Sequence, residues 1–434
     1  MTVRYTVKEV LQFVEGNDVK FVRLVFFDIF GVKKNISIMA SELASAFKNG
    51  AHVSASNVAG FDNDIGSDLL LFPDPNTLRV LTWRPQQGAV VRLLCDIRHT
   101  DGRAFEGDVR TVLKKAVEKT KSLGYETTAG LACEFYLFRL DDDGNPTRLP
   151  QDKAGYLDVA PLDKGENVRR QICLTMEEMD IIPLSSHHEN GPGQNEIDFK
   201  HSDLLSAADD YFTFKSVVKT AAAANGLYAS FMPKPLADKS GSGMHINLVL
   251  KQYGENIFKD DGNGLSKTAK SFIAGVMRRA AEMTVFFNPL SNSYARFGAY
   301  EAPIDIDWSY GNHKSLIRLL MPETERARVD FRSPDPACNP YVCFALLVYA
   351  GLEGIRDELE LCEPNEKGNA EITQKLPQSL AQAVELAGKS EFVKKCLPEL
   401  IYRNFIGMKT QEAEKSQQSA EHRQSQDDRY FEII

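Results

Sequence analysis

The sequence predicts a mixed α+β protein of two domains or more, a small sheet unit followed by a larger unit of helices and strands. Three observations carry this. The chain has 434 residues, roughly three times a typical domain length of about 150. Up to residue 103 it reads as short strands separated by Pro- and Gly-rich turns, with one or two helices. Beyond that point long helices alternate with strands that carry charges on one face. With 43% hydrophobic and 26% charged residues, the composition excludes a disordered or fibrous chain.

Taken in order, residues 5–16 predict a short amphipathic helix. Strands are expected at 19–27 and, after a turn at Phe30-Gly31, at 31–37. The spacing at 41–49 predicts a helix with Ser41 as N-cap and Gly50 as its stop. Further strands are expected at 68–72, 78–83 and 89–95, divided by turns such as PDPNT. A charged, turn-rich run at 98–108 follows, and the domain boundary is placed near residue 103. Helices are then expected at 108–123, 202–225, 266–287, 336–361 and 377–407. DDDGNPT reads as a turn, and the Gly-, Asn- and Asp-rich 251–266 run as a loop. The polar 408–434 segment, ending in YFEII, reads as a surface helix with an apolar anchor.

Charge narrows the partners. A net charge of -9 argues against non-specific binding to nucleic acid or anionic membranes. The longest apolar run, YVCFALLVYAGL, is shorter than the roughly 20 residues a membrane span needs. The N-terminal residues mix charges with apolar side chains and do not read as a signal peptide. Seven cysteines without a CxxC pair read as free thiols, and a cytoplasmic location is expected.

Four candidate strands share one unusual property. In GLACEFYLF, Glu134 lies on one face with Ala132 and Tyr136. In QNEIDFK, Gln194, Glu196, Asp198 and Lys200 share a face. His245 and Asn247 lie opposite Met244 and Ile246, and Arg328, Asp330 and Arg332 lie opposite Val329 and Phe331. Side chains alternate along a strand, so each strand has an apolar face and a face of acids, imidazole or guanidinium. Carboxylates suit a hard cation such as Mg²⁺ or Mn²⁺, and arginines match phosphate and carboxylate oxygens. No Walker A, GxGxxG or kinase signature is present. The pattern points to metal-dependent phosphoryl-transfer chemistry on an unfamiliar cradle.

The longer motifs are recognisable. SHHENGPGQNEIDF, NGLYASFMPKPL, GSGMHINL, NSYARFGAYEAP, and RVDFRS followed by DPACNPY resemble the bacterial type I glutamine synthetase family. FDNDIGSDLLLFPDPNT and CDIRHTDGRAFEGD resemble its small N-terminal domain. The resemblance implies a β-grasp domain at 1–103, then a catalytic domain at 104–434 with a curved antiparallel sheet flanked by helices. It also implies a dodecamer of two hexameric rings, with ATP as co-substrate and Mg²⁺ or Mn²⁺ as cofactor. Glutamate would be activated as γ-glutamyl phosphate and joined to ammonia or an amine.

By the same resemblance, Glu134, Glu189 and Glu196 hold one metal, while His245 and Asp330 belong to a second. Arg296 grips the glutamate substrate, Gly241 lines its pocket, and Glu301 closes the site over the intermediate. Arg318 and Arg332 bind phosphate, and Arg328, Asn247 and Lys314 stand on the nucleotide side. Tyr156 and Asp68 surround the ammonium pocket.

Several positions depart from the family pattern. Ala132 stands where a carboxylate ligand of the second metal is expected, Asp330 is shorter than the usual Glu, and His313 replaces a phosphate-binding arginine. Ser54 replaces the aspartate that binds and deprotonates ammonium. A neutral hydroxyl neither balances an ammonium charge nor serves as its base. Ser54 therefore favours an organic amine over ammonia as the acceptor. Ordinary glutamine synthesis and a non-catalytic assembly are the alternatives.

Overall fold

In the computed structural model the described residues are 5–434 apart from 62–67, 85–87, 261, 263 and 369–373. The DNDIGS part of the N-terminal motif lies outside them. Helix α1 (Val7–Gly16) opens on a capping box, Thr6 accepting from the Glu9 amide and Glu9 from the Thr6 amide. Strands β1 (Phe21–Phe27) and β2 (Lys33–Met39) form an antiparallel pair. A 3₁₀ turn at Ala40–Glu42 then leads into α2 (Leu43–Asn49). Ser41 lies inside that turn and is not the N-cap expected: no side chain caps α2, whose entry is made by the tighter turn instead. Gly50, at φ 75°, does end the helix.

The small sheet is completed by β3 (Ala51–Ser54), β4 (Asp68–Pro73), β5 (Arg79–Val80) and β6 (Val90–His99). Its order is β2-β1-β6-β4-β3, with β1 and β6 parallel, so the expected mixed sheet is present. The strand expected at 78–83 shrinks to β5, because Leu81 and the residues after it turn away. Strand β3 carries no sequence expectation.

Helix α3 (Val109–Ser122), capped by Asp108, leads into the 16-residue strand β7 (Tyr125–Leu140). Then come β8 (Pro146–Pro150), α4 (Glu166–Glu178), β9 (Pro183–His188), β10 (Gln194–Asp203), α5 (Leu204–Ala224) and β11 (Leu227–Ser230). They are followed by β12 (Met244–Gln252), β13 (Glu255–Asn256), α6 (Lys267–Phe287), β14 (Trp308–Ser309), β15 (Ile317–Leu320) and β16 (Arg328–Phe331). The large sheet runs β14-β15-β16-β12-β7-β10-β9 and is antiparallel except at β14–β15. The chain closes with α7 (Pro340–Arg356), α8 (Leu380–Lys389), α9 (Glu391–Cys396), α10 (Glu399–Gln418) and α11 (Ala420–Ile433).

Two helix expectations are corrected. The helix expected at 336–361 begins at Pro340, where Asn339 caps it and proline suits the first turn. The single helix expected at 377–407 is three, because Ser390 caps a new start and Pro398 precedes another. Tyr430 and Phe431 are buried, as the apolar anchor requires.

One apolar core runs from the small sheet into the large one. Phe27 of β1 stacks on Phe212 of α5 at 4.1 Å and meets Tyr341 of α7 at 5.2 Å. Beside them Arg110 is 2% exposed and bonds Asp74 and Asp96 of the N-terminal part and Asp209 of α5. The face of the large sheet away from these helices carries the polar residues.

Candidate active site

Strand pairing brings the charged faces together. Glu196 of β10 stands opposite Glu134 of β7, and Ala132 of β7 lies between Asp198 of β10 and His245 of β12. Asp330 of β16 is opposite Asn247 of β12 on one side and Arg318 of β15 on the other. The four strands read from sequence are thus adjacent in space, and their polar faces form one surface.

At one end of that surface are the carboxylates. His187, Glu189 and Glu196 each place a ligand atom within 4.8 Å of the others. The His187 ring is 3.5 Å from Glu189 through Nδ1 and 3.5 Å from Glu196 through Nε2. Glu134 accepts from Gln194 Nε2 at 2.8 Å and from the Gly243 amide at 3.0 Å. Burial, reinforced by the Glu189 charge, pushes the Glu134 carboxyl up to about 8. Burial and the Glu134 charge push Glu196 well above the ordinary carboxylate range. Buried carboxylates that disfavour each other's charge are the donor set a hard divalent cation relieves. These residues therefore fit a metal.

At the other end are the guanidinium groups. Arg332, 5% exposed, donates through Nη1 to Asp330 Oδ2 at 3.0 Å and through Nη2 to Glu301 Oε2 at 3.4 Å. Its Nη1 also lies 3.3 Å from His245 Nδ1. Burial first, and Arg332 second, push His245 down to about 3, leaving a neutral imidazole suited to metal ligation. Arg296 is buried and donates to the Ser333 carbonyl at 3.1 Å. The Nε atoms of Arg296, Arg318 and Arg332 are buried without a hydrogen-bond partner. Such donors match an anionic ligand.

Gly241 is required by close approach, since a Cβ there would meet Arg296 Cγ at 2.4 Å. Arg328 donates from Nε to Asn247 Oδ1 at 3.0 Å, so these two are brought together. Glu301 is exposed and also accepts from His313 Nδ1 at 3.3 Å. Lys314 lies on the same exposed loop, its amide donating to Asn312 Oδ1 at 3.0 Å. The exposed Tyr156 sets its ring edge-on against His187 at 5.7 Å.

Ser54 and Asp68 are elsewhere. They are cross-strand neighbours on β3 and β4, where Ser54 shares a 2.8 Å hydrogen bond with Ser56 and Asp68 lies 3.5 Å from His52. Among the described residues, no hydrogen bond or ion pair joins either to the polar face of the large sheet. Sequence reasoning also passed over two members of the site. His187 was given no role, although it stands on β9 only two residues before Glu189, which directly follows the strand. Gln194, fully buried, orients Glu134, a role visible only once β7 and β10 are paired.

Comparison with known proteins is consistent along the chain. The family model described as glutamine synthetase, catalytic domain, matches residues 106–427, and that described as glutamine synthetase, beta-Grasp domain, matches residues 18–100. The chain is 44% identical over 423 residues to a glutamine synthetase of Clostridium saccharobutylicum, covering 94% of this chain and 95% of that protein. It is 42% identical over 419 residues to one of Methanosarcina mazei, covering 94% of each. A solved structure described as a GmaS/ADP complex superposes with TM-score 0.85 at 29% identity, covering 99% of this chain and 100% of that one. The Plasmodium falciparum glutamine synthetase has the same fold, with TM-score 0.86 at 22% identity over 98% of this chain and 99% of that one.

Proposed function

The chain belongs to the glutamine synthetase family, and from that premise we propose that it is an ATP-dependent ligase joining glutamate to an organic amine. The N-terminal part is the family's β-grasp domain and the rest its catalytic domain, with the boundary proposed near residue 103. The observation that carries the ligase reading is the single polar face on which buried carboxylates, a neutral histidine and partly unpartnered arginines meet.

On that face Arg296 would bind the glutamate carboxylate, with Gly241 leaving room beside it. Arg318 and Arg332 would receive the phosphate oxygens of the activated γ-carboxylate, while Arg328, Asn247 and Lys314 would hold the nucleotide. ADP is the ligand of the similar GmaS structure, which supports a nucleotide at this face. Glu134, Glu189 and Glu196, with His187 beside them, would hold one Mg²⁺ or Mn²⁺, and His245 and Asp330 a second. When bound, such ions neutralise phosphate charge and polarise the transferring group. Glu301, already 3.4 Å from Arg332, would lie across the mouth of the site and limit water's access to the acyl phosphate.

Ser54 and Asp68 would reach this face from a second copy of the chain. A dodecamer of two hexameric rings is the assembly proposed. Leu157, Val159, Leu162, Ile182 and Leu184 are exposed apolar residues that support an interface. Seven free cysteines, and no described helix long and apolar enough to cross a membrane, support a cytoplasmic location.

The amine reading rests on Ser54. A second reading, glutamine synthesis from ammonia, is favoured by Asp68, whose carboxylate stands directly across the strand pair from Ser54. The test is product analysis with ATP, Mg²⁺ or Mn²⁺, glutamate, ammonia and primary amines. The expected result is a γ-glutamyl alkylamide in preference to glutamine. Ser54→Asp is expected to move kcat/KM toward ammonia by on the order of tenfold or more, the worth of a charge-assisted hydrogen bond. Efficient glutamine formation with no alkylamide would establish the second reading, and no γ-glutamyl product at all would leave a non-catalytic assembly.

A further inference from the structure

We propose that Asp198 completes the second divalent-cation site with His245 and Asp330, holding the cation through a water in the space beside Ala132. The proposal rests on reading this sheet face as a metal-assisted ligase site.

The register makes the case. Ala132 is paired with Asp198 on one side and with His245 on the other, so the three form one row across β10, β7 and β12. A carboxylate at Ala132 would reach a cation beside His245 and Asp330; a methyl group offers no donor. The nearest acid on the row is Asp198. Its Oδ2 is anchored by Ser185 Oγ at 2.6 Å, while its Oδ1 is buried without a hydrogen-bond partner. On the other flank Asp330 is 2% exposed, and its Oδ1 is also buried without a partner, 3.8 Å from His245 Nδ1. Two orphaned carboxylate oxygens and the His245 imidazole around a missing side chain are a cation site lacking its cross-strand ligand.

The reach of the side chains decides how Asp198 takes part. Strands are about 4.8 Å apart, so Asp198 and His245, two spacings apart, have backbones separated by about 10 Å. These residues are not among the described groups whose ligand atoms lie within 4.8 Å of one another. The three are therefore too far apart to coordinate one cation directly. Mg²⁺ and Mn²⁺ sites of this kind keep aqua ligands, and a water where the absent carboxylate would lie links cation to Asp198. On β10 Asp198 stands two residues from Glu196 of the first site, and across Ala132 it shares a row with His245 of the second.

The test is Mn²⁺ titration of the full chain without nucleotide, with free Mn²⁺ counted by electron paramagnetic resonance. The wild type is expected to bind two ions per chain, the second more weakly. Asp198→Asn should weaken the second ion about 10–100-fold, as loss of an outer partner does, and leave the first unchanged. Adding Ala132→Glu to Asp198→Asn should restore it, with unaltered melting temperatures confirming the fold. An unchanged second affinity in Asp198→Asn, or failure of Ala132→Glu to restore it, overturns the proposal. Turnover by a wild type that binds one ion only leaves the ligase reading intact and also overturns this one. The expected pattern in a protein that forms no γ-glutamyl product supports the cation site and refutes the ligase reading instead.

Discussion

Arg332 bonds Asp330 and Glu301 at once and still has a buried Nε without a partner. Arg332→Lys keeps the charge beside Asp330 but removes the planar fork that matches phosphate oxygens. We expect kcat to fall by about 10²–10³, the usual loss for one preorganised donor, with the melting temperature nearly retained. Near-normal turnover in a folded variant would show that Arg332 does not serve the phosphate. The carboxylates lead to a second expectation. Glu134, pushed up to about 8, and Glu196, pushed in the same direction by burial and the Glu134 charge, favour their protons before a cation binds. A cation must displace them, so affinity should rise as pH climbs toward about 8, and protons should be released. Calorimetry in buffers of different ionisation enthalpy reads this, and binding heats independent of buffer would contradict it.

Between elements, α6 and α7 approach each other backbone to backbone. A Cβ on Gly275 would meet the Ala350 carbonyl at 2.3 Å, and one on Gly354 would meet the Ser271 carbonyl at 2.1 Å. Backbone atoms cannot step aside as a side chain can. Gly354→Ala should therefore force the helices apart and cost about 1–3 kcal/mol, in the range for overpacked cores. Urea unfolding would measure it, and a midpoint equal to wild type would disprove the close contact. A glycine in a helix interior weakens the helix by itself. Its use here is packing. The pattern of α6 and α7 was legible as helix, yet which glycines touch was not.

Across the whole molecule, Arg110 ties the N-terminal part to the catalytic part. It is buried, and it bonds Asp74, Asp96 and Asp209. Arg110→Ala would leave three carboxylates sharing a largely buried space, and breaking such a network costs about 3–5 kcal/mol. Denaturant unfolding of the variant should show that loss, together with exposure of the core where Phe27 meets Phe212 and Tyr341. A variant as stable as wild type would mean that the contact between the two parts is carried by apolar packing alone.

Much of this was in the sequence. Period-two alternation marked the strands of Glu134, Glu196, His245 and Asp330 and assigned their polar faces, because side-chain direction along a strand is a local property. The stop at Gly50 and the apolar anchor at Tyr430 and Phe431 are local in the same sense. What the tertiary structure decided is which strands are neighbours and in what register. The pairing of Ala132 with both Asp198 and His245, the hold of Gln194 on Glu134 and the entry of His187 into the carboxylate cluster all follow from that order. The three helices replacing the one expected at 377–407 are local instead, since Ser390 and Pro398 act against a continuous apolar pattern. Hydrogen bonds between strands form across long sequence separations. Their register is set by the packing of the whole sheet against its helices, not by any one segment.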